Sequence, residues 1–152
     1  MNFLVSPSKL RELGILGMNS RNIGYIGRYN QRKNYHLADN KLATKSAALE
    51  LGIAVPELYG TIEYQFQIKD MLDSLAERES FVIKPAQGSG GKGILVIIGR
   101  DGEYFIKSSG VRIDGREVRR HTDNILAGLH SLGGRNDRAM IEALIDFDPV
   151  LK

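Results

Sequence analysis

The residues best suited to chemistry lie in one run, Phe81-Val82-Ile83-Lys84-Pro85-Ala86-Gln87-Gly88-Ser89-Gly90-Gly91-Lys92-Gly93, followed directly by Ile94-Leu95-Val96-Ile97-Ile98. The composition predicts a strand that ends in a lysine, a glycine-rich loop with its own lysine, and a return to strand. Lacking Cβ atoms, Gly88, Gly90, Gly91 and Gly93 let backbone N–H groups approach a ligand's oxygens, and positive φ values turn successive amides inward as an anion-binding nest. Lys84 and Lys92 add a positive charge on either side, which suits a polyphosphate better than a lone carboxylate. A plain hairpin turn is also rich in glycine, so the loop by itself leaves both readings open.

Context narrows the choice. Gly88-x-Gly90-x-x-Gly93 spells the dinucleotide fingerprint, but that fingerprint opens a helix whose N-terminus receives a pyrophosphate, whereas Ile94 to Ile98 is a strand former. A Walker A loop also fails, because Ala86 stands five residues before Gly91 and Gly93 follows Lys92. A glycine loop between strands covers ATP in protein kinases, and Lys107 lies on the next strand-like segment. No His-Arg-Asp or Asp-Phe-Gly triplet accompanies it.

The chain that must position these residues has 152 residues, 42% of them apolar and 26% charged, enough for one core or two small lobes. No apolar run approaches the ~18 residues of a membrane span, and Met1 to Val5 is too short for a signal peptide. The absence of cysteine excludes a disulfide framework and a thiolate metal site, and fits a cytoplasmic setting. The net charge of +3 is uneven: residues 1 to 45 carry eight Lys or Arg against Glu12 and Asp39, a local +6, and the remainder carries −3. Tyr25, Tyr29 and Tyr35 interleave with that basic charge as in a nucleic-acid face. A mixed solvated surface explains the same pattern, and no nucleic-acid module motif accompanies it.

Ser6-Pro7 predicts a capped helix over Ser8 to Leu13 that stops near Gly14. A second helix is expected over Asn19 to Arg28, capped by Asn19 or Ser20. Asp39 is expected to cap an amphipathic helix from Asn40 to Leu51, with Leu42, Ala43, Ala47, Leu49 and Leu51 inward and Gly52 as its end. A strand near Leu58 to Ile62 and a helix from Gln67 to Arg78 follow. Strands are then expected at Phe81 to Lys84, Ile94 to Ile98 and Tyr104 to Lys107, the last two joined by the Asp101-Gly102 hairpin signal. A helix from Gly115 to Leu132 and a strand from Ala139 to Ile145 complete an α+β layout. His36, His121 and His130 show no metal-ligand spacing and read as structural.

Several motifs now stand in a fixed order: Asp39-Asn40-Lys41 at a helix head, Gly52-Ile53-Ala54-Val55-Pro56-Glu57, Val82-Ile83-Lys84-Pro85, the loop Gln87 to Gly93, and Met140-Ile141-Glu142. In that order they resemble the ATP-grasp superfamily. Together with Leu13-Gly14-Ile15-Leu16-Gly17-Met18-Asn19, Lys107-Ser108-Ser109-Gly110 and Leu132-Gly133-Gly134, they look like its alpha-L-glutamate ligase-like group, related to the enzyme that adds glutamate to a ribosomal protein. The resemblance covers nearly the whole chain. It implies an incomplete ATP-grasp-type α+β fold: a helical segment over 1–52, then a lobe over 53–152 with the antiparallel glycine-loop sheet.

The resemblance further implies that Lys41 and Lys84 contact the α and β phosphates of ATP. The loop of Gln87, Gly88, Ser89, Gly90, Gly91, Lys92 and Gly93 would close over the β and γ phosphates. Glu142 would mark the adenine segment, with backbone groups of Ala143, Leu144 and Ile145 reading the adenine edge. Glu142 also stands out without the family, because a carboxylate on an apolar strand is costly to bury unpaired. The implied activity is that of an ATP-dependent carboxylate-amine ligase acting through an acyl phosphate, a carbon-nitrogen bond-forming enzyme with carboxylate and amine substrates that are small molecules or peptides. Lysines, loop amides and magnesium stabilise charge on the transferring group in such chemistry.

One departure stands out. The family's magnesium ligands come from strands beyond the adenine segment, and Asp146 and Asp148 read instead as surface or ribose-side residues. The chain thus reads as a truncated N-terminal portion, about half of a family member. Mg²⁺ is expected only in the complete protein, and the portion alone is expected to be inactive, with Ala139 to Ile145 leaving an apolar sheet edge that favours self-association. A standalone nucleotide-binding module or pseudoenzyme, and a basic nucleic-acid-binding protein, are the alternatives.

Overall fold

The computed structural model of the chain describes residues 5–146 and residue 150. Two compact units divide it, residues 1–38 and 39–152, so the helix headed by Lys41 belongs with the sheet and not with the N-terminal segment. The first unit is helical. Ser6 caps α1 (Pro7–Glu12) by accepting a hydrogen bond from the Lys9 N–H at 3.2 Å, as the Ser-Pro pair predicts. The second helical run begins at Met18 with Gly17 as its cap, not at Asn19 or Ser20. It passes through α2 (Met18–Arg21), a π-helical stretch (Asn22–Ile26) and α3 (Gly27–Tyr29). A 3₁₀ turn, Arg32–Asn34, leads into α4 (Tyr35–Asp39).

In the second unit the cap of α5 (Lys41–Glu50) is Asn40, not Asp39. Asn40 has the extended φ of −112° and ψ of 106° that a cap needs, and its Oδ1 accepts from the N–H groups of Leu42 and Ala43, while Asp39 is still helical as the last residue of α4. The expected apolar face is also corrected. Leu49 and Leu51 are exposed, and the buried residue of α5 is Lys45.

The sheet has six antiparallel strands: β1 (Leu58–Ile62), β2 (Phe81–Pro85), β3 (Leu95–Asp101), β4 (Tyr104–Lys107), β5 (Arg112–Ile113) and β6 (Ala139–Glu142), in the order β1-β6-β2-β3-β4-β5. Asp101 pairs with Tyr104 across the two-residue turn begun by Gly102 at φ +60°, so the Asp-Gly hairpin forms where expected. β5 is too short to leave a period-2 signal in the sequence. β6 lies between β1 and β2, with all four of its residues buried. The expected exposed edge at Ala139 to Ile145 is therefore overturned: both sides of β6 are paired, and the edges are β1 and β5.

Two helices shorter than expected, α6 (Gln67–Ser74) and α7 (Gly115–Leu126), pack on one face of the sheet. Asp114 caps α7 by accepting from the Glu117 N–H at 2.9 Å. The core joins Ile68, Met71 and Leu75 of and beside α6, Val118 and Ile125 of α7, and Phe81, Ile83, Ile97, Phe105 and Ile141 of the sheet. Phe81 and Phe105 meet edge to face at 5.6 Å. Because side chains alternate along β2, burying Phe81, Ile83 and Pro85 toward the helices turns Val82 and Lys84 to the opposite face.

Candidate functional site

Pairing of β2 with β6 places Val82 opposite Glu142 and Lys84 opposite Met140. Lys84 and Glu142 are therefore diagonal neighbours on the face away from α6 and α7, within reach of a long side chain. Lys84 Nζ donates to Glu142 Oε1 as a close ion pair. From above this face, Lys45 of α5 brings its Nζ to 3.2 Å from Glu142 Oε2 and donates to the Pro56 carbonyl. Glu142 is only 4% exposed and Lys45 8%, so this carboxylate is held by two cations in a largely dry place. The approach of Lys45 lacks hydrogen-bond angles, and Oε2 keeps an unused acceptor position in spite of its burial.

Lys41, one helical turn before Lys45, faces the start of the glycine loop. Its backbone N–H donates to the Ala86 carbonyl at 2.8 Å and its ammonium to the Gly88 carbonyl. Partial burial pulls the Lys41 ammonium below its ordinary pKa, Asp137 opposes that shift, and the like charge of Lys84 adds to it. The loop itself is anchored by Asp137, a buried carboxylate that accepts from the Gln87 N–H at 2.9 Å, the Ser131 hydroxyl at 2.9 Å and the Arg138 N–H at 2.7 Å. The Ala86 N–H donates to the Arg138 carbonyl at 2.9 Å, extending the contact of β2 with the segment before β6.

Between these anchors the loop is open. Gly90 and Gly91, at φ +63° and +72°, have no atom within 4 Å of where a Cβ would stand. A cradle of bare backbone beside Lys41 and Lys84 can take an anion's oxygens with little obstruction. Strand, glycine loop and strand, a lysine leaving β2, and a glutamate on the neighbouring strand thus occupy one face of one unit. The sugar-transfer associated ATP-grasp family matches this chain over residues 20–152. The chain belongs to that family. No curated protein and no solved structure matches it significantly.

In this ATP-grasp chain the far end of the loop rests on two histidines. His121 Nε2 donates to the Gly93 carbonyl at 3.0 Å, and the His121 and His130 rings stack at 6.0 Å. A Cβ on Gly93 would lie 2.5 Å from His130 Cγ, so glycine is required here by contact as well as by its φ of +74°. Burial lowers the pKa of His121; the bond to Gly93 opposes this, while His130 and Lys107 reinforce it.

The structure brings Lys41, Lys84, Glu142 and the loop from Gln87 to Gly93 into one neighbourhood. Ala143, Leu144 and Ile145 continue from β6, but the Ala143 N–H is already committed to the Glu57 carbonyl at 2.9 Å. Asp146 is exposed, and Asp148 lies outside the described residues. Sequence reasoning missed Lys45 and Asp137. The four-residue step from Lys41 to Lys45, which puts both on one helix face, was a usable signal for the first. Nothing local marks Asp137, since apart from the adjacent Arg138 N–H its partners are Gln87 of the loop after β2 and Ser131.

Proposed function

We propose that this chain binds ATP at the Lys41, Lys84 and glycine-loop face and is the ATP-binding portion of a carboxylate-amine ligase-like enzyme. The observation that carries the reading is the convergence of two lysines and an open run of glycine amides beside a buried glutamate that is paired with one of them. Bound ATP supplies the phosphoryl group that activates a carboxylate as an acyl phosphate, which an amine then displaces.

The chain's own contribution is positioning and charge. Lys41 and Lys84 neutralise phosphate oxygens, and the N–H groups of Ser89, Gly90, Gly91 and Gly93 hold charge that develops on the transferred group, the Lys92 N–H being spent on the Ser89 carbonyl. With the Ala143 N–H spent on Glu57, the adenine edge falls to Leu144 and Ile145.

A magnesium ion fits less well. Among the described residues no three His, Asp or Glu side chains converge as a metal site. The two carboxylates nearest the lysines are committed, Glu142 to Lys45 and Lys84 and Asp137 to the loop anchors. No step is therefore assigned to magnesium here. The acceptor also stays at the level of class: a glutamate-ligase-like acceptor rests on motif resemblance, whereas the matched family is described by sugar transfer.

A basic nucleic-acid face loses support from the geometry, because Lys41 and Lys45, two of its eight cations, point into the site. Calorimetric titration with ATP, with and without magnesium, tests the reading. Saturable heat that disappears in Lys84→Ala is expected. A flat titration of the wild-type chain, or equal binding by Lys84→Ala, overturns it, and salt-sensitive binding to RNA in its place would favour the nucleic-acid alternative.

A further inference from the structure

Glu142 has two lysine partners where one would neutralise it, and the two are not equivalent. Lys45 is 8% exposed and anchored at a second point, the Pro56 carbonyl, so its ammonium is held from two directions. Lys84 is 22% exposed at the side chain and sits at the end of β2, where the glycine loop begins. A phosphate on the loop would draw on the more exposed Lys84, whereas Lys45 would have to give up its Pro56 contact to follow it. If Lys84 were the only partner, transferring it to a phosphate would strand a carboxylate in a dry site, and that cost would be subtracted from binding.

We propose that Lys45 is a positioning residue: it is the resident counter-ion of Glu142, and by keeping that carboxylate paired it frees Lys84 to swing from Glu142 to a nucleotide phosphate. The inference rests on the nucleotide reading above and adds a division of labour between two lysines that only the buried geometry distinguishes. Before binding, the cluster holds two cations and one anion. After binding, Lys45 stays with Glu142 and Lys84 serves the phosphate, so each charge keeps a partner throughout.

The consequence is a specific coupling. In Lys45→Met, Glu142 retains Lys84 as its sole partner, and nucleotide affinity falls by about tenfold or more, equivalent to about 1.4 kcal/mol. Removing the carboxylate as well, in Lys45→Met with Glu142→Gln, releases Lys84 and recovers affinity relative to Lys45→Met alone. Lys45→Arg keeps the charge and stays near wild type.

Calorimetry with ATP on these variants, each checked for folding by circular dichroism, reads the coupling. Wild-type affinity in Lys45→Met, or a double variant no better than the single one, overturns the proposal. Nitrogen-15 NMR of the lysine ammonium groups in the wild-type chain provides a second readout that needs no variant to fold. On addition of ATP, the Lys84 resonance is expected to move while that of Lys45 stays in place. A displaced Lys45 signal with Lys84 unmoved overturns the proposal even where ATP binds, whereas no binding by the wild-type chain overturns the nucleotide reading itself.

Discussion

Lys84 and Glu142, 58 residues apart in the chain, form a diagonal ion pair across β2 and β6, and Lys45 closes the same carboxylate from α5. Pairs this buried contribute little net stability relative to an apolar substitute, but losing one member leaves the others exposed to the full cost of burial.

Glu142→Ala therefore leaves two lysine charges facing each other without a counter-ion. It should lower unfolding free energy by about 3–5 kcal/mol. Equilibrium urea denaturation measures this, and a loss below about 1 kcal/mol would mean that Lys45 and Lys84 reach solvent once the carboxylate is gone.

Asp137→Ala removes the acceptor for the Gln87 N–H and the Ser131 hydroxyl. Hydrogen bonds to a charged group are worth about 1.5–3 kcal/mol, and a loss in that range is expected. Amide exchange should accelerate from Gln87 through Gly93 while the paired residues of β2 stay protected, because the anchor acts on the loop and not on the strand. Uniform acceleration across the sheet would contradict a local role.

Gly90→Ala and Gly93→Ala separate backbone strain from contact. Both place a Cβ at positive φ, but only Gly93 faces His130. Gly90→Ala should cost about 1–2 kcal/mol from the left-handed conformation alone. Gly93→Ala should cost clearly more, and His130→Ala in the same chain should return part of the difference, as read by thermal melting in a double-mutant cycle.

The lowered pKa of His121 gives stability a pH dependence. In the unfolded chain the imidazole protonates near its ordinary 6.5, whereas burial, reinforced by His130 and Lys107 and opposed by the bond to Gly93, keeps it neutral to lower pH in the fold. The unfolded state thus binds the proton first, so stability is full above about 6.5 and declines as pH falls through the lowered folded value. Melting temperatures across this window should drop in the wild type and drop less in His121→Asn; identical slopes would exclude His121 as the source.

Local order was legible in the residues themselves. Ser6-Pro7 fixes a helix start because a side-chain acceptor and a preset φ act within one turn, and Asp101-Gly102 fixes the β3–β4 hairpin because its turn demands a positive φ at once. The glycine loop between strands, and the lysine that leaves β2, were readable for the same reason. What required the tertiary structure is who meets whom. Insertion of β6 between β1 and β2 sets Glu142 beside Lys84, and no periodicity within Ala139 to Glu142 specifies those neighbours. Lys45 is one of eight cations in residues 1 to 45, and only the tertiary structure sets it against Glu142, because a cation is buried only where a distant partner meets its charge.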